Sequence, residues 1–404
     1  MDREPVVDFA SDWDHTDERW VADPYPIWDD LRERCPVAHT DRYGGGWFPS
    51  THAGVSTIAH DTVNFTSRSI LIGNGRPEED APPSPIGIAP PISSDPPFHQ
   101  IARRLLLPAF APGPVSALEP QVRALCSRLL DQQAGQEVVN GGSGYAQFIP
   151  TAVIRQMLGF PESDEDLFRE FVHIVIGGVN LPVEERIEQF APVEAYLIRQ
   201  MEDHAANPRE DLTTYLLNVE VGGQKLAPEH VFGTMILVLI AGIDTTWSAI
   251  GSSLWHLAKS PGDLERLVNE PDLMPFAIEE FLRFYAPVTM ARLVKQDMDY
   301  LGCPMKEYDW ILLGFPAANR DPAAFRDADT FIIDRQANRH LAFGLGIHRC
   351  IGSNLARLEL RIALEEFIAR YPRFELADPD AVTWAPGQIR GPRNLPIRIL
   401  KERS

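Results

Sequence analysis

Cysteine is scarce in this chain: four residues in 404, Cys35, Cys126, Cys303 and Cys350, with no C-x-x-C pair among them. Neither a disulfide framework nor a zinc site is signalled by that spacing, so a cysteine that does chemistry here does it alone. Basic residues are outnumbered, 37 Lys and Arg against 57 Asp and Glu, for a net charge of −20. That balance lacks the positive footprint of a nucleic-acid or anionic-membrane binder. Long apolar runs are missing too. The longest, Val231 to Ile243, is broken by Gly233 and Thr234 and runs into Asp244, too short to span a bilayer. The acidic opening, MDREPVVDFASDWDHTDERW, has no apolar stretch of the kind a secretory signal needs. The expectation is a cytoplasmic protein with no nucleic-acid and no membrane partner.

What is present is an ordinary globular composition, 44% hydrophobic and 23% charged, with no internal repeat and no linker long enough to separate autonomous domains. One domain over residues 1–404 is expected. Ala81 to Pro97, APPSPIGIAPPISSDPP, is too proline-dense for a helix or a central strand and reads as a stiff loop. A helix starts after it, with Asp95 as a candidate cap and Pro96 in the first turn. Helical periodicity follows over Leu118–Gln133, Pro161–Ile176, Val183–His204, Pro228–Lys259 and Pro275–Tyr285. The fourth of these is over thirty residues, roughly 45 Å at the helical rise, enough to cross a domain. Short β-type runs occupy ARLVKQDMDYLGCPMKEYDWILLGF and the late segment from Arg373, and an early β-rich part is expected at about 35–75, in GGGWFPSTHAGVSTIAH. The fold class is mainly α with small β-sheets.

Four short stretches carry chemistry. In HLAFGLGIHRCIGSNLARLELRIALEEF a glycine-punctuated loop leads through Cys350 into a helix, whose N-terminal amides favour a thiolate. AGIDTT, at residues 241–246, places glycine, aspartate and two threonines inside an apolar helix, where each is a poor choice for helix stability. Thr245 can donate to the Ala241 carbonyl one turn back. EEFLRF holds Glu280 and Arg283 three apart on one helix face among large apolar residues, a charge pair that needs further partners if buried. DPPFHQIARR puts His99 and Arg103 four apart on one face.

Phe343-Gly344-x-Gly346-x-His348-x-Cys350-x-Gly352 resembles the haem-binding loop of the cytochrome P450 family, and AGIDTT resembles the motif of that family's long central helix. The resemblance implies a single large prism-like domain of the P450 fold around haem b. It makes Cys350 the axial ligand of the haem iron, with Phe343 packed beside it and Gly352 next to it. His99, Arg103, Arg292 and His348 become propionate partners. Glu280, Arg283 and Arg335 become the structural E-x-x-R knot. Ala241 and Gly242 would line an oxygen pocket that Gly242 leaves free of side chain, while Asp244 and Thr245 form an acid–alcohol pair for proton relay. The stretch KEYDW departs from the family's usual K-G-D by lacking its glycine, which leaves a turn there open.

The implied activity is that of a bacterial-type monooxygenase. It inserts one atom of O2 into a small hydrophobic substrate with electrons from NAD(P)H, delivered by ferredoxin reductase and ferredoxin because the chain shows no flavin or iron–sulfur motif. A peroxide-driven oxygenase of the same fold and a non-catalytic haem-thiolate sensor are the alternatives. Arg103, Arg104, Arg349, Arg357 and Arg361 would form a basic patch for an acidic ferredoxin. Ile86, Ile88, Leu237, Ile240, Val288, Met290 and Ile389 would line an aliphatic substrate pocket suited to a terpenoid, aromatic, steroid or polyketide. A monomer is expected.

Overall fold

The longest periodic run in the sequence becomes the axis of the molecule. In the computed structural model, which describes residues 4–73, 75, 89–164, 166–168, 170–171, 174 and 183–403, Pro228–Lys259 is one continuous 32-residue helix. Pro228 begins it, where a missing N–H costs nothing, and Ser260-Pro261 ends it. Among the described residues this is the one helix long and apolar enough to cross a membrane, yet 67% of its apolar window is buried inside the protein. A helix covered on nearly all sides is a core element. Phe148–Met157, Ser353–Arg370 and Met274–Phe284 pack on it, and the largest apolar cluster forms around it from Ile154, Leu239, Trp247, Phe281 and Leu360.

A five-stranded sheet stands beside this helical body, in the order 37–40, 46–49, 310–313, 290–294, 65–66. Its pairs are antiparallel except that between 46–49 and 310–313, where Trp310 faces Gly46. Strand alternation sends Trp310 and Leu312 into one cluster with Trp13, Trp20 and Trp28, and Ile311 and Leu313 into another with Val55 and Ile58. A three-stranded sheet joins 138–140, 396–401 and 373–376.

Three local expectations change. The early part at 35–75 does carry three strands of the sheet, Val37–Thr40, Gly46–Pro49 and Phe65–Thr66, but the stretch GGGWFPSTHAGVSTIAH within it is strand only at Gly46–Pro49. It then turns into the helix His52–His60, because Thr51 accepts from the Gly54 amide and Val55, Ile58 and Ala59 form an apolar face. Asp95 does not cap the helix Phe98–Leu106. Its carboxylate accepts instead from Thr66 Oγ1 at 2.5 Å and the Ser67 amide at 3.1 Å. In KEYDW the turn forms without glycine: Tyr308 takes φ 62°, and Asp309 accepts from the Lys306 amide and from Trp47 Nε1. The left-handed conformation costs a side chain about 1–2 kcal/mol, which the Asp309 bonds and the burial around Tyr308 offset. Residues 81–88 of the loop Ala81–Pro97 lie outside the described residues and 89–97 form neither helix nor strand; part of the expected helix Pro161–Ile176 also lies outside them, with 166–168, 170–171 and 174 helical.

Glu280 and Arg283 are both fully buried on the helix Met274–Phe284. Arg283 grips Glu280 through two bonds of 2.8 and 2.7 Å, and Arg335 reaches the same carboxylate at 3.0 and 3.1 Å. The two guanidinium groups then donate to the carbonyls of Asn319, Arg326, Asp327, Ala328 and Thr330. An Ile332 amide and Asn338 complete the shell of Glu280. The segment 319–341 is thereby fastened to the helix, and Asn319 Oδ1 holds the Leu341 amide at 2.6 Å where the cysteine loop begins. Removing the shared acid leaves two buried cations uncompensated. Glu280→Ala should cost about 3–5 kcal/mol in a urea unfolding titration, and a loss below about 1 kcal/mol would show that the knot is not what fastens this segment.

Candidate active site

The loop from Phe343 to Cys350 closes on itself, the Cys350 amide donating to the Phe343 carbonyl at 2.7 Å. Two glycines make that path possible. Gly344 and Gly346 have φ of +63° and +64°, and a Cβ on Gly346 would come within 2.8 Å of the Ala59 carbonyl. Cys350 then precedes the helix Ser353–Arg370. Protein surrounds the residue, yet it is open to a concave space. Burial pushes its thiol up, against the Gly352 amide and the charges of Arg103, Arg349 and Arg357, which favour the thiolate.

Basic side chains gather next to this loop. His99 and Arg103 come from Phe98–Leu106, Arg292 from the strand Met290–Val294, and His348 from the turn before the cysteine. The rings of His99 and His348 lie 4.4 Å apart, edge to face. His99 is 1% exposed, and apart from the pull of the Ile347 backbone neither of its ring nitrogens finds a partner. His348 Nε2 meets Ser67 Oγ at 2.9 Å, while its Nδ1 is buried without a partner. Arg292 is buried and among the described residues donates only to the Ala291 carbonyl, and burial drives it down to about 10. Burial, then the cations Arg292, His99 and Arg103, push His348 down to about 2. Arg103 donates to the Arg349 carbonyl at 2.6 Å.

Among the described residues none of these four has an ion pair, and the nearest acid, Asp95, is engaged by Thr66, Ser67 and Lys295. Buried basic groups left without acids are costly unless an anion joins them. Two carboxylates beside a single soft sulfur donor are what such a set accommodates, and a haem carries both propionates and an iron that takes a thiolate.

The sequence profile described as Cytochrome P450 matches residues 145–383. The chain belongs to the cytochrome P450 family. Cytochrome P450-terp of a Pseudomonas species is 30% identical over 407 residues, covering 93% of this chain and 94% of that protein. The Bacillus subtilis protein named Polyketide biosynthesis cytochrome P450 PksS is 31% identical over 314 residues, 77% of this chain and 78% of its own. The crystal structure of CYP109E1 from Bacillus megaterium in complex with testosterone superposes with a TM-score of 0.85 at 29% identity, covering 94% of this chain and 98% of that one. The P450 is therefore a haem b monooxygenase with the family's fold.

The central helix of this P450 has one open stripe. Leu237, Ile240, Gly242 and Thr245 are half-buried and Ala241 is exposed, while Val238, Leu239, Ile243 and Asp244 between them are covered. Thr245 Oγ1 donates to the Ala241 carbonyl at 2.8 Å, and the helix runs unbroken through this bond. Asp244 points elsewhere. It is 1% exposed and paired with Arg393 at 2.7 Å; that guanidinium also stacks on Trp247 at 4.2 Å and reaches Ser248 Oγ at 3.3 Å. Adjacent helical residues diverge by about 100°, so the acid and the alcohol do not face one space.

Gly242 needs a correction. A Cβ there would lie 2.4 Å from Ile154 Cδ1, so the space of the missing side chain is taken up by Ile154 of the helix Phe148–Met157, while Gly242 itself stays half-buried at the edge of the stripe. A Cβ on Gly352 would meet nothing closer than 3.9 Å, where Cys350 Sγ and the Phe110 ring lie.

Of the substrate-pocket residues, Val288 and Ile389 are joined by a β-bridge that Gln388 braces through the Thr289 amide and carbonyl. Met290 is half-buried two residues before Arg292. Ile86 and Ile88 lie outside the described residues. Sequence reasoning missed Arg393, Ser67, Gln388 and Glu279. Ser67 and Gln388 stand in irregular segments and Arg393 in a three-residue strand, Pro392–Asn394, too short to show periodicity, and only Glu279, next to Glu280, carried a signal, a charge in an apolar context.

Gly242→Val tests the close approach. Overpacking against Ile154 should destabilise the protein by about 1–3 kcal/mol, measured by thermal or urea unfolding. Combining it with Ile154→Ala should recover part of that loss, and purely additive losses would place the constraint elsewhere.

Proposed function

We propose that Cys350 supplies the axial thiolate and that His99, Arg103, Arg292 and His348 hold the two haem propionates, with Phe343 and Gly352 flanking the sulfur. The observation that carries this reading is the convergence of four basic side chains, buried or half-buried and without acids of their own, beside Cys350. Haem so ligated supplies the electron donation that favours O–O cleavage, by which one oxygen atom of O2 enters the substrate and the other leaves as water.

Thr245 is the residue placed to handle a proton. Its hydroxyl proton is engaged by the Ala241 carbonyl, so its oxygen is left as an acceptor on the open stripe of the helix. A water held there can be passed on toward the reacting oxygen. Asp244 delivers a proton only after parting from Arg393, so that pair sets when the acid is available. Retaining both residues favours an O2-dependent enzyme over a peroxide-driven one, which needs no relay.

The substrate is a small hydrophobic molecule, oxidised between Leu237, Ile240, Val288, Met290 and Ile389. Relatives named for polyketide biosynthesis, or solved with testosterone, fit an aliphatic pocket of this kind. The electrons come from NAD(P)H through a ferredoxin reductase and a ferredoxin. Their docking patch is smaller than the sequence suggests. Arg357 is turned onto Glu279, and Arg361 is paired with Glu119 and Glu365. What remains is Arg104 and Arg349, both exposed, with Ile101 and Leu107 alongside. The whole chain acts as one monomeric, soluble haem domain in the cytoplasm.

Thr245→Ala should leave haem and substrate binding intact while diverting at least half of the consumed NAD(P)H into peroxide or water, read as product formed per NAD(P)H oxidised. Coupling at the wild-type level would exclude Thr245 from the relay. Arg349→Glu should slow reduction by ferredoxin about tenfold at low salt and flatten its salt dependence, and unchanged reduction kinetics would move the docking site elsewhere.

A further inference from the structure

Beside the buried knot lies a second ionic cluster that the family assignment leaves without a role. Glu279 and Glu280 are neighbours in sequence, but they face different partners. Glu280 serves Arg283 and Arg335, whereas Glu279 receives a two-pronged grip from Arg357, Nε to Oε1 at 2.6 Å and Nη2 to Oε2 at 2.8 Å. His340 Nε2 joins Glu279 Oε2 at 3.0 Å. The other ring nitrogen of His340 accepts from the Ala342 amide at 3.2 Å, which fixes the Nε2–H tautomer that donates to Glu279. Three side chains from three segments are thus locked together: the helix Met274–Phe284, the run into the cysteine loop, and the helix Ser353–Arg370.

The cluster is aimed at Phe343. The Arg357 guanidinium lies over the Phe343 ring, 4.5 Å from its centroid, and the His340 ring lies 5.9 Å away at 47°. Phe343 in turn accepts the Cys350 amide through its carbonyl. The Phe343 ring is therefore held between a cation and an imidazole, and the bidentate carboxylate holds the arginine in place over it. Arg357 is 30% exposed and Glu279 31% exposed at their side chains, so both charges act through partly desolvated surroundings and not through bulk water.

We propose that Glu279 and Arg357 are positioning residues that orient Phe343 against Cys350 and set the reduction potential of the haem held there. The proposal rests on Cys350 being the haem ligand. The electrostatic sign follows from the geometry. Reduction adds an electron to the haem, which a nearby cation favours and a nearby anion opposes. Arg357 contributes the cation at the Phe343 side, and Glu279 compensates it from behind. Removing Glu279 leaves the cation uncompensated and raises the potential. Removing Arg357 leaves the anion and lowers it. A merely mechanical clamp moves both variants the same way, since each loses the same contact. A docking role for Arg357 moves neither, because the potential of the isolated protein involves no donor.

The test is a spectroelectrochemical titration of the purified, haem-loaded protein without its redox partners, for wild type, Glu279→Gln, Arg357→Met and the double variant. The expected result is opposite shifts of the two single variants, each about tenfold in the reduction equilibrium, or 59 mV for one electron, with the double variant falling between them. Glu279→Asp and Arg357→Lys retain the charges and should return most of the shift, which keeps the test informative if a neutral variant fails to fold. Shifts of the same sign, or none in variants that retain the thiolate-type spectrum, overturn the proposal. A wild-type protein with no thiolate-type spectrum overturns the haem-ligand assignment itself, and the proposal with it.

Discussion

One buried carboxylate holds the catalytic end of this protein together. Glu280 is fully buried and is shared by Arg283 and Arg335, and the guanidinium groups fan out to five backbone carbonyls between Asn319 and Thr330. A buried ion pair by itself is weak evidence for stability, because desolvation consumes most of the Coulombic gain. Its value here is geometric. An irregular segment of about twenty residues has few periodic contacts of its own, and backbone carbonyls that cannot join a helix or sheet must find donors elsewhere. Two arginines supply those donors, and one glutamate makes their burial tolerable. Asn319 and Leu341 pass the constraint on to the cysteine loop.

The loop so held carries its sulfur into a setting of basic side chains that have no acid partner among the described residues. Burial pushes the protonated forms of His99, Arg103, Arg292 and His348 down, the two arginines push both histidines down further, and the carboxylate of Asp95 beside them is already engaged. A protein rarely tolerates such an arrangement without an anionic partner. The central helix answers it from a different physical starting point. Thr245 ties its hydroxyl to the Ala241 carbonyl, and at the edge of the open stripe Gly242 gives its side-chain space to Ile154 of the neighbouring helix.

Much of this was legible in the sequence, and what was not has identifiable causes. The central helix, the Glu280–Arg283 pair and the glycine-bounded cysteine could be read because each is a short, local pattern whose chemistry does not depend on distant residues. Arg335 and the propionate set came from the family resemblance and not from spacing. Gly242 was misread because a glycine in a helix shows only that a side chain is missing, and not which neighbour fills the space. Asp244 was read with Thr245 because they are adjacent, yet its partner Arg393 lies 149 residues away in the short strand Pro392–Asn394. Arg357 was placed on a docking surface by its charge, and its tertiary partner Glu279 turns it inward. Charge is visible in sequence; the direction in which it is pointed is set by tertiary contacts.

The central claim is that Cys350 and the basic side chains around it form the seat of the haem. The absorption spectrum of the reduced, carbon-monoxide-treated protein tests it most directly, comparing wild type, Cys350→Ala and Arg292→Met. The account predicts a thiolate-type band in wild type, its complete loss in Cys350→Ala, and an unshifted band with weakened haem retention in Arg292→Met. A thiolate-type band that survives in Cys350→Ala would contradict it.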